Sequence, residues 1–230
     1  MNIQVVDDVA GEVASRLVAA AGRGGHIALT GGSTPGVAYE RAASMGADWS
    51  GSVLWFGDDR AVPPDDERSN YKLAKDTLLD RLEAALTPSA VHRIEGERGH
   101  SEAASSYDGL LRSEVGGDVP ALDLILLGLG PDGHCGSIFP GKPAFDERSH
   151  AVVGVPEAGL EPFVPRVTMT LPVFNAGREV LFMVTGQSKA DVAARAFGGE
   201  PRQDTPASYV RPPQLTVLLD PPAASLLPNK

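Results

Sequence analysis

Asp132 and His134 stand two residues apart in the glycine-rich run Gly128-Leu129-Gly130-Pro131-Asp132-Gly133-His134-Cys135-Gly136-Ser137. An imidazole that titrates near neutral pH suits general-base work, and a nearby carboxylate can orient the ring or its loop. Gly128, Gly130 and Gly133 also match G-x-G-x-x-G, but a dinucleotide site does not fit. Pro131 lacks a phosphate-facing N–H, Asp132 puts negative charge where a pyrophosphate would lie, and Glu157 comes too late to be the ribose acid. Cys135 reads as a small packed residue, because adjacent side chains seldom face each other. The five histidines, at 26, 92, 100, 134 and 150, show neither HExxH nor paired-Cys spacing, so no metal centre is expected.

Other segments could hold an anion. In Thr30-Gly31-Gly32-Ser33-Thr34-Pro35, two glycines allow close backbone approach. Ser33 or Thr34 can cap the next helix, and Pro35 suits its first turn. Free N–H groups, hydroxyls and the positive helix end together make a phosphate seat. Without Gly-Lys-Ser/Thr at the helix start this is not a P-loop, and ATP cleavage is unsupported. Further along, Arg60 in Gly57-Asp58-Asp59-Arg60 could clamp an anion while Asp58 and Asp59 orient it or take a proton. Those carboxylates would also suit Mg²⁺, or simply form a solvated loop. Lys189, in Gly186-Gln187-Ser188-Lys189-Ala190, can reach a phosphate from the first turn of a helix. The same run nearly matches the nucleophile elbow, but no His follows position 150 to complete a triad. Arg166, in Pro165-Arg166-Val167-Thr168-Met169-Thr170, adds a cation near a strand start.

These residues must be positioned by the elements between them. Strands are expected at Ile3–Val6, His26–Thr30, Ser52–Phe56, Asp123–Leu129, Ala151–Val155, Glu179–Thr185 and Leu215–Leu219. Helices are expected at Val9–Ala21, Pro35–Met45, Asn70–Leu86, Ser101–Val115 and Ser188–Phe197. The run 123–129 lacks polar alternation after its first residue, the mark of a strand covered on both faces. Strands separated by helices imply an α/β fold: a doubly wound, mostly parallel, Rossmann-like sheet flanked by helices. No repeat or linker divides residues 1–230, so one domain is expected. Ligands of such sheets bind beyond the strands' carboxyl ends. The long loops at 57–69, 130–143 and 154–166 are therefore the places to look.

Composition narrows the partners. The chain has 20 Lys+Arg against 30 Asp+Glu, a net charge of −10, which argues against nucleic acid or acidic membrane as partner. A hydrophobic fraction of 42% can fill a core, and one Cys precludes an internal disulfide. No basic, apolar leader opens the chain, and no apolar run approaches the ~18 residues of a membrane span. A soluble cytoplasmic protein, monomeric or a small homo-oligomer, is the expectation.

Taken in order, these segments resemble the 6-phosphogluconolactonase family, part of the wider group that includes glucosamine-6-phosphate deaminase. The likeness runs from Thr30 to the last strand. Its most specific stretches are Leu127–His134 with Phe139-Pro140-Gly141, and Arg166–Thr170 followed by Asn175. Gly186–Ala190 and Pro206-Ala207-Ser208 support them. Cys135-Gly136 stands where the family usually has Thr-Ala, and Asp59 where Glu is usual. The resemblance implies hydrolysis of 6-phospho-D-glucono-1,5-lactone in the oxidative pentose phosphate pathway, with no cofactor. It implies His134 as catalytic base, and a sugar-phosphate site lined by Gly31, Gly32, Ser33, Thr34, Arg60, Arg166 and Lys189; Asp132 beside the base and Asp58 beside Arg60 join them on their place in the sequence. The sister deaminase carries an acidic residue shortly after its His, where this chain has Ile138-Phe139-Pro140.

Overall fold

Leu124, Ile125, Leu126 and Leu127 are all buried, which requires neighbours on both sides and both faces. The computed structural model, which describes residues 1–228, supplies them. In chain order the elements are β1 (Asn2–Val5), α1 (Val9–Arg23), β2 (Gly25–Leu29), α2 (Ser33–Ser44), β3 (Ser52–Phe56), β4 (Asp58–Arg60), α3 (Asn70–Thr77), β5 (Ala90–Val91) and α4 (His100–Val115). They continue with β6 (Leu124–Gly128), β7 (Val152–Val155), β8 (Arg166–Met169), α5 (Leu171–Ala176), β9 (Glu179–Val184), α6 (Ala190–Phe197), β10 (Gln214–Leu219) and α7 (Pro221–Ala224). Seven strands form one sheet in the order β1-β10-β9-β6-β2-β3-β5, and every pairing in it is parallel. This is the mostly parallel, helix-flanked α/β architecture expected. No helix among the described residues is long and apolar enough to cross a membrane.

The helices follow their apolar spacing. In α1, Val9, Val13, Leu17, Ala20 and Ala21 are buried, and the Asp8 carboxylate caps the start by accepting from the Gly11 N–H. The helix expected over 70–86 stops at Thr77 and continues as two short 3-10 turns. Asp76 and Thr77 are weak helix formers, and the Thr77 hydroxyl donates back to the Leu73 carbonyl at 2.6 Å. Leu78 is nonetheless buried, and Leu79 and Leu82 pack on the core. Their helix-like spacing marks contact with that core rather than a continuous helix.

A second sheet was not expected. Strands β4, β8 and β7 form a three-stranded antiparallel unit, so the strand anticipated at 151–155 does not join the parallel sheet. Gly57 is the divergence point: its N–H donates to Leu29 O while its carbonyl accepts from Met169 N–H. The chain thus leaves the large sheet after β3 and pairs with β8 one residue later. Asp-Asp-Arg carries no strand-like apolar pattern, and only the partner strand makes it one.

In the large sheet, β2 is followed outward by β3 on one side, while β6 leads to β9 on the other. The chain order reverses between β2 and β6. That is where an open parallel sheet leaves a crevice for a ligand, beyond the strands' carboxyl ends.

Candidate active site

The crevice holds a pocket of about 240 Å³. Its walls come from the loop after β2 (Thr30, Gly31, Gly32), from β4 (Asp58, Arg60) and from the loop after β6 (Leu129, Gly130, Pro131, His134). Asn70, Phe139, Leu160, Glu161, Arg166 and Lys189 complete it. The loops at 57–69, 130–143 and 154–166 all contribute, as expected from their length and position.

His134 Nδ1 lies 2.6 Å from Asp132 Oδ1, and the same oxygen accepts from the His134 backbone N–H at 3.2 Å. An ionised carboxylate has no proton to give, so Nδ1 carries the hydrogen and Nε2 is left as the ring's free acceptor. Burial works to raise the Asp132 carboxyl, but the hydrogen bonds and charge of His134 outweigh it and hold its pKa below the usual value. The loop is shaped around the ring. A Cβ on Gly130 would sit 2.0 Å from His134 Nδ1, so only glycine leaves room there. Gly133 adopts φ +93° at the turn, and the Phe139 ring packs on the imidazole with centroids 4.6 Å apart.

Three cations share this pocket. Arg60 and Arg166 are directly paired in register across β4 and β8. Their hydrogen bonds go to neutral acceptors: Arg60 Nη1 to Arg68 O and Asn70 Oδ1, and Arg166 Nε and Nη2 to the carbonyls of Val164 and Pro162. Lys189, in a 3-10 turn just before α6, donates to Leu129 O at 2.7 Å. None of the three forms a salt bridge with a described residue, whereas Arg68, Lys72, Arg93 and Arg98 all do. Burial, followed by the like charge of Arg60, lowers the Arg166 pKa. Burial also lowers that of Lys189, opposed by Asp132. Cations buried or half-buried without a salt-bridge partner among the described residues are costly, and an anionic ligand would relieve that cost.

Other expected residues fall differently. Asp58 lines the pocket, but its carboxylate is engaged by the protein, accepting from Ser137 Oγ at 2.6 Å and Asn70 Nδ2 at 3.3 Å. Asp59 points away and is buried, accepting from the Arg60, Asn70 and Tyr71 N–H groups and from Ser69 Oγ. Burial pushes its pKa up to about 6 against those hydrogen bonds. The expectation that Ser33 or Thr34 caps α2 is corrected. Gly32 occupies the cap with φ +119° and no side chain caps the helix. The Ser33 and Thr34 side chains line a neighbouring groove, where Thr34 Oγ1 lies 2.9 Å from Thr185 Oγ1. From this stretch, only the backbone-rich part, Thr30 to Gly32, faces His134's pocket. Cys135 is fully buried, and burial pushes its thiol up, out of reach of nucleophilic work.

Sequence reasoning did not single out Asn70, Leu160 or Glu161. The start of α3 at Asn70 is readable from the sequence, and in the structure Ser69 caps it. Its nearness to Gly31 and Arg60 was not.

Comparison with known proteins places the chain and its fold in a family. A family described as glucosamine-6-phosphate isomerases/6-phosphogluconolactonase matches residues 2–219. The 6-phosphogluconolactonase of Mycobacterium leprae is 39% identical over 213 residues, spanning 88% of this chain and 85% of that one. The human 6-phosphogluconolactonase is 41% identical over 178 residues, 76% of this chain and 68% of that one. The solved 6-phosphogluconolactonase of Trypanosoma cruzi superposes with a TM-score of 0.85 at 26% identity, covering 99% of this chain and 97% of that one. A match over nearly the whole length, with the same fold, makes this chain a member of the glucosamine-6-phosphate isomerase/6-phosphogluconolactonase family.

Proposed function

We propose that the protein hydrolyses 6-phospho-D-glucono-1,5-lactone to 6-phospho-D-gluconate, with His134 as general base. The observation that carries this reading is a single pocket in which His134, hydrogen-bonded to Asp132 behind it, stands beside three cations that have no salt-bridge partner among the described residues. A lactone is an activated ester, so a positioned water and a base suffice. His134 Nε2 takes a proton from water as its oxygen bonds to C1. Asp132 stabilises the imidazolium that forms. The tetrahedral intermediate then expels the ring oxygen, which takes the proton back from His134, leaving a C1 carboxylic acid that ionises. Lys189 and the backbone of Gly31 and Gly32 anchor the phosphate, and Arg60 and Arg166 add positive charge. General-base assistance of this kind is worth about 10²–10⁴-fold, with positioning supplying more.

Aldose–ketose or deaminase chemistry on the same fold would call for a carboxylate just after the histidine. Here Phe139 fills that stretch and packs against His134 at a tilt instead. A sugar-phosphate sensor would have no use for an oriented base. The deciding experiment generates the lactone in situ from glucose-6-phosphate and follows its disappearance, with ammonia and ketose assayed in parallel. Acceleration above the spontaneous rate is expected, together with a fall of about 10²–10⁴-fold in His134→Ala. Decay at the spontaneous rate, or undiminished turnover in that variant, would refute the assignment.

A further inference from the structure

Arg60 is held by a neutral side chain. Asn70, the first residue of α3, is 2% exposed, and its backbone N–H is fixed on Asp59 Oδ1 at 2.7 Å. Its side chain bridges two segments: Nδ2 donates to Asp58 O at 2.8 Å, and Oδ1 accepts from Arg60 Nη1 at 3.0 Å. A carbonyl accepts and a guanidinium only donates, so the amide orientation is decided by its partners. The same Oδ1 presses on the loop after β2, for a Cβ on Gly31 would sit 1.8 Å from it. Gly31 is therefore glycine for the sake of Asn70. Arg60 Nε remains buried and without a hydrogen-bond partner among the described residues.

We propose that Asn70 is a positioning residue that sets the Arg60 guanidinium for the substrate's phosphate, holding it by a neutral acceptor so that its positive charge stays available. This rests on the reading of the pocket as a sugar-phosphate site. An aspartate in the same place could make the same contact with Arg60, but it would neutralise the cation it holds. Asparagine keeps the geometry and spares the charge. The network also reaches the base's loop, because Asp58, which accepts from Asn70, accepts from Ser137 as well. One buried side chain thereby registers the loop after β2, the Arg60 clamp and the segment following His134.

The test compares Asn70→Asp and Asn70→Ala with the unsubstituted protein on two substrates: the phosphorylated lactone and unphosphorylated glucono-1,5-lactone. In Asn70→Asp, KM for the phosphorylated lactone rises about tenfold or more while kcat stays within about threefold. For the unphosphorylated lactone, which has no phosphate for Arg60 to meet, kcat/KM falls by a clearly smaller factor, the part that comes from losing the Asn70 Nδ2 contact with Asp58. Asn70→Ala shifts KM in the same direction, and if it fails to fold, the near-isosteric aspartate variant carries the test alone. Equal losses on both lactones would overturn the proposal, since a structural role harms both alike. An unchanged KM in the aspartate variant would overturn it too. Should the unsubstituted protein accelerate neither lactone, the proposed activity fails by itself. Asn70 is then judged by calorimetric titration with 6-phosphogluconate: weaker binding to Asn70→Asp sustains the proposal and equal binding refutes it.

Discussion

Asp132→Asn probes the electrostatic half of the proposed mechanism with little change of shape. The asparagine Oδ1 can still accept from the His134 backbone N–H and from Nδ1, now 3.2 and 2.6 Å from the carboxylate oxygen, so the turn and the ring orientation persist. What disappears is the negative charge facing an imidazole that becomes cationic as it takes the proton from water. The His134 and Asp132 side chains are 20% and 28% exposed, so solvent screens this interaction only in part. A hydrogen bond to a charged group contributes about 1.5–3 kcal/mol, and each 1.4 kcal/mol is tenfold in rate, so kcat is expected to fall about 10–100-fold. Binding responds in the opposite sense. Asp132 offsets the charge of Lys189, and its removal makes the pocket more positive toward a phosphorylated substrate. KM is therefore expected to hold or fall. The assay is initial-rate hydrolysis of freshly generated lactone, with spontaneous decay subtracted. A raised KM with an intact kcat would refute the reasoning, because it would make Asp132 a binding group rather than the partner of the base.

Three further substitutions test separate parts of the site. Lys189→Ala removes a cation whose Nζ donates to Leu129 O and is expected to raise KM about tenfold in steady-state kinetics; an unchanged KM would remove Lys189 from the phosphate site. Gly130→Ala places a methyl 2.0 Å from His134 Nδ1, so kcat should collapse toward that of His134→Ala, and wild-type kcat would mean the imidazole works from another position. Asp59→Asn turns an amide NH2 toward the Tyr71 N–H and the Ser69 hydroxyl, or toward the other two donors, and should cost about 1–3 kcal/mol in denaturant unfolding at pH 7. Because the folded pKa of Asp59 is raised from 3.8 to about 6, the stability attached to its protonation is full below 3.8 and is lost as the pH rises through 6. The wild type's advantage over Asp59→Asn is thus expected to be larger at pH 5 than at pH 7, and a gap that does not change with pH would contradict the raised pKa.

The sequence by itself determined most of the alternation of strands and helices, because burial on both faces leaves its mark on the inner strands of a parallel sheet, though not on the short edge strand β5. Leu124–Leu127 could be nothing but interior, and the apolar spacing of α1 declared the face it buries. It also determined the Asp132–His134 contact, since Asp132, Gly133 and His134 are joined by a local turn that needs only neighbouring residues. The tertiary structure decided which distant groups share the pocket. Arg60 and Arg166 meet only because Gly57 turns the chain out of the large sheet and into register with β8. A three-residue strand of Asp-Asp-Arg has no pattern that announces such a pairing. Asn70 approaches Gly31 only when α3 docks, and both side chains of Ser33-Thr34 turn to another groove because Gly32, with φ +119°, takes the cap. Periodicity records what a residue is buried against in its own element. The long-range contacts that arrange the cations depend on how separate elements pack, and that leaves no spacing to read.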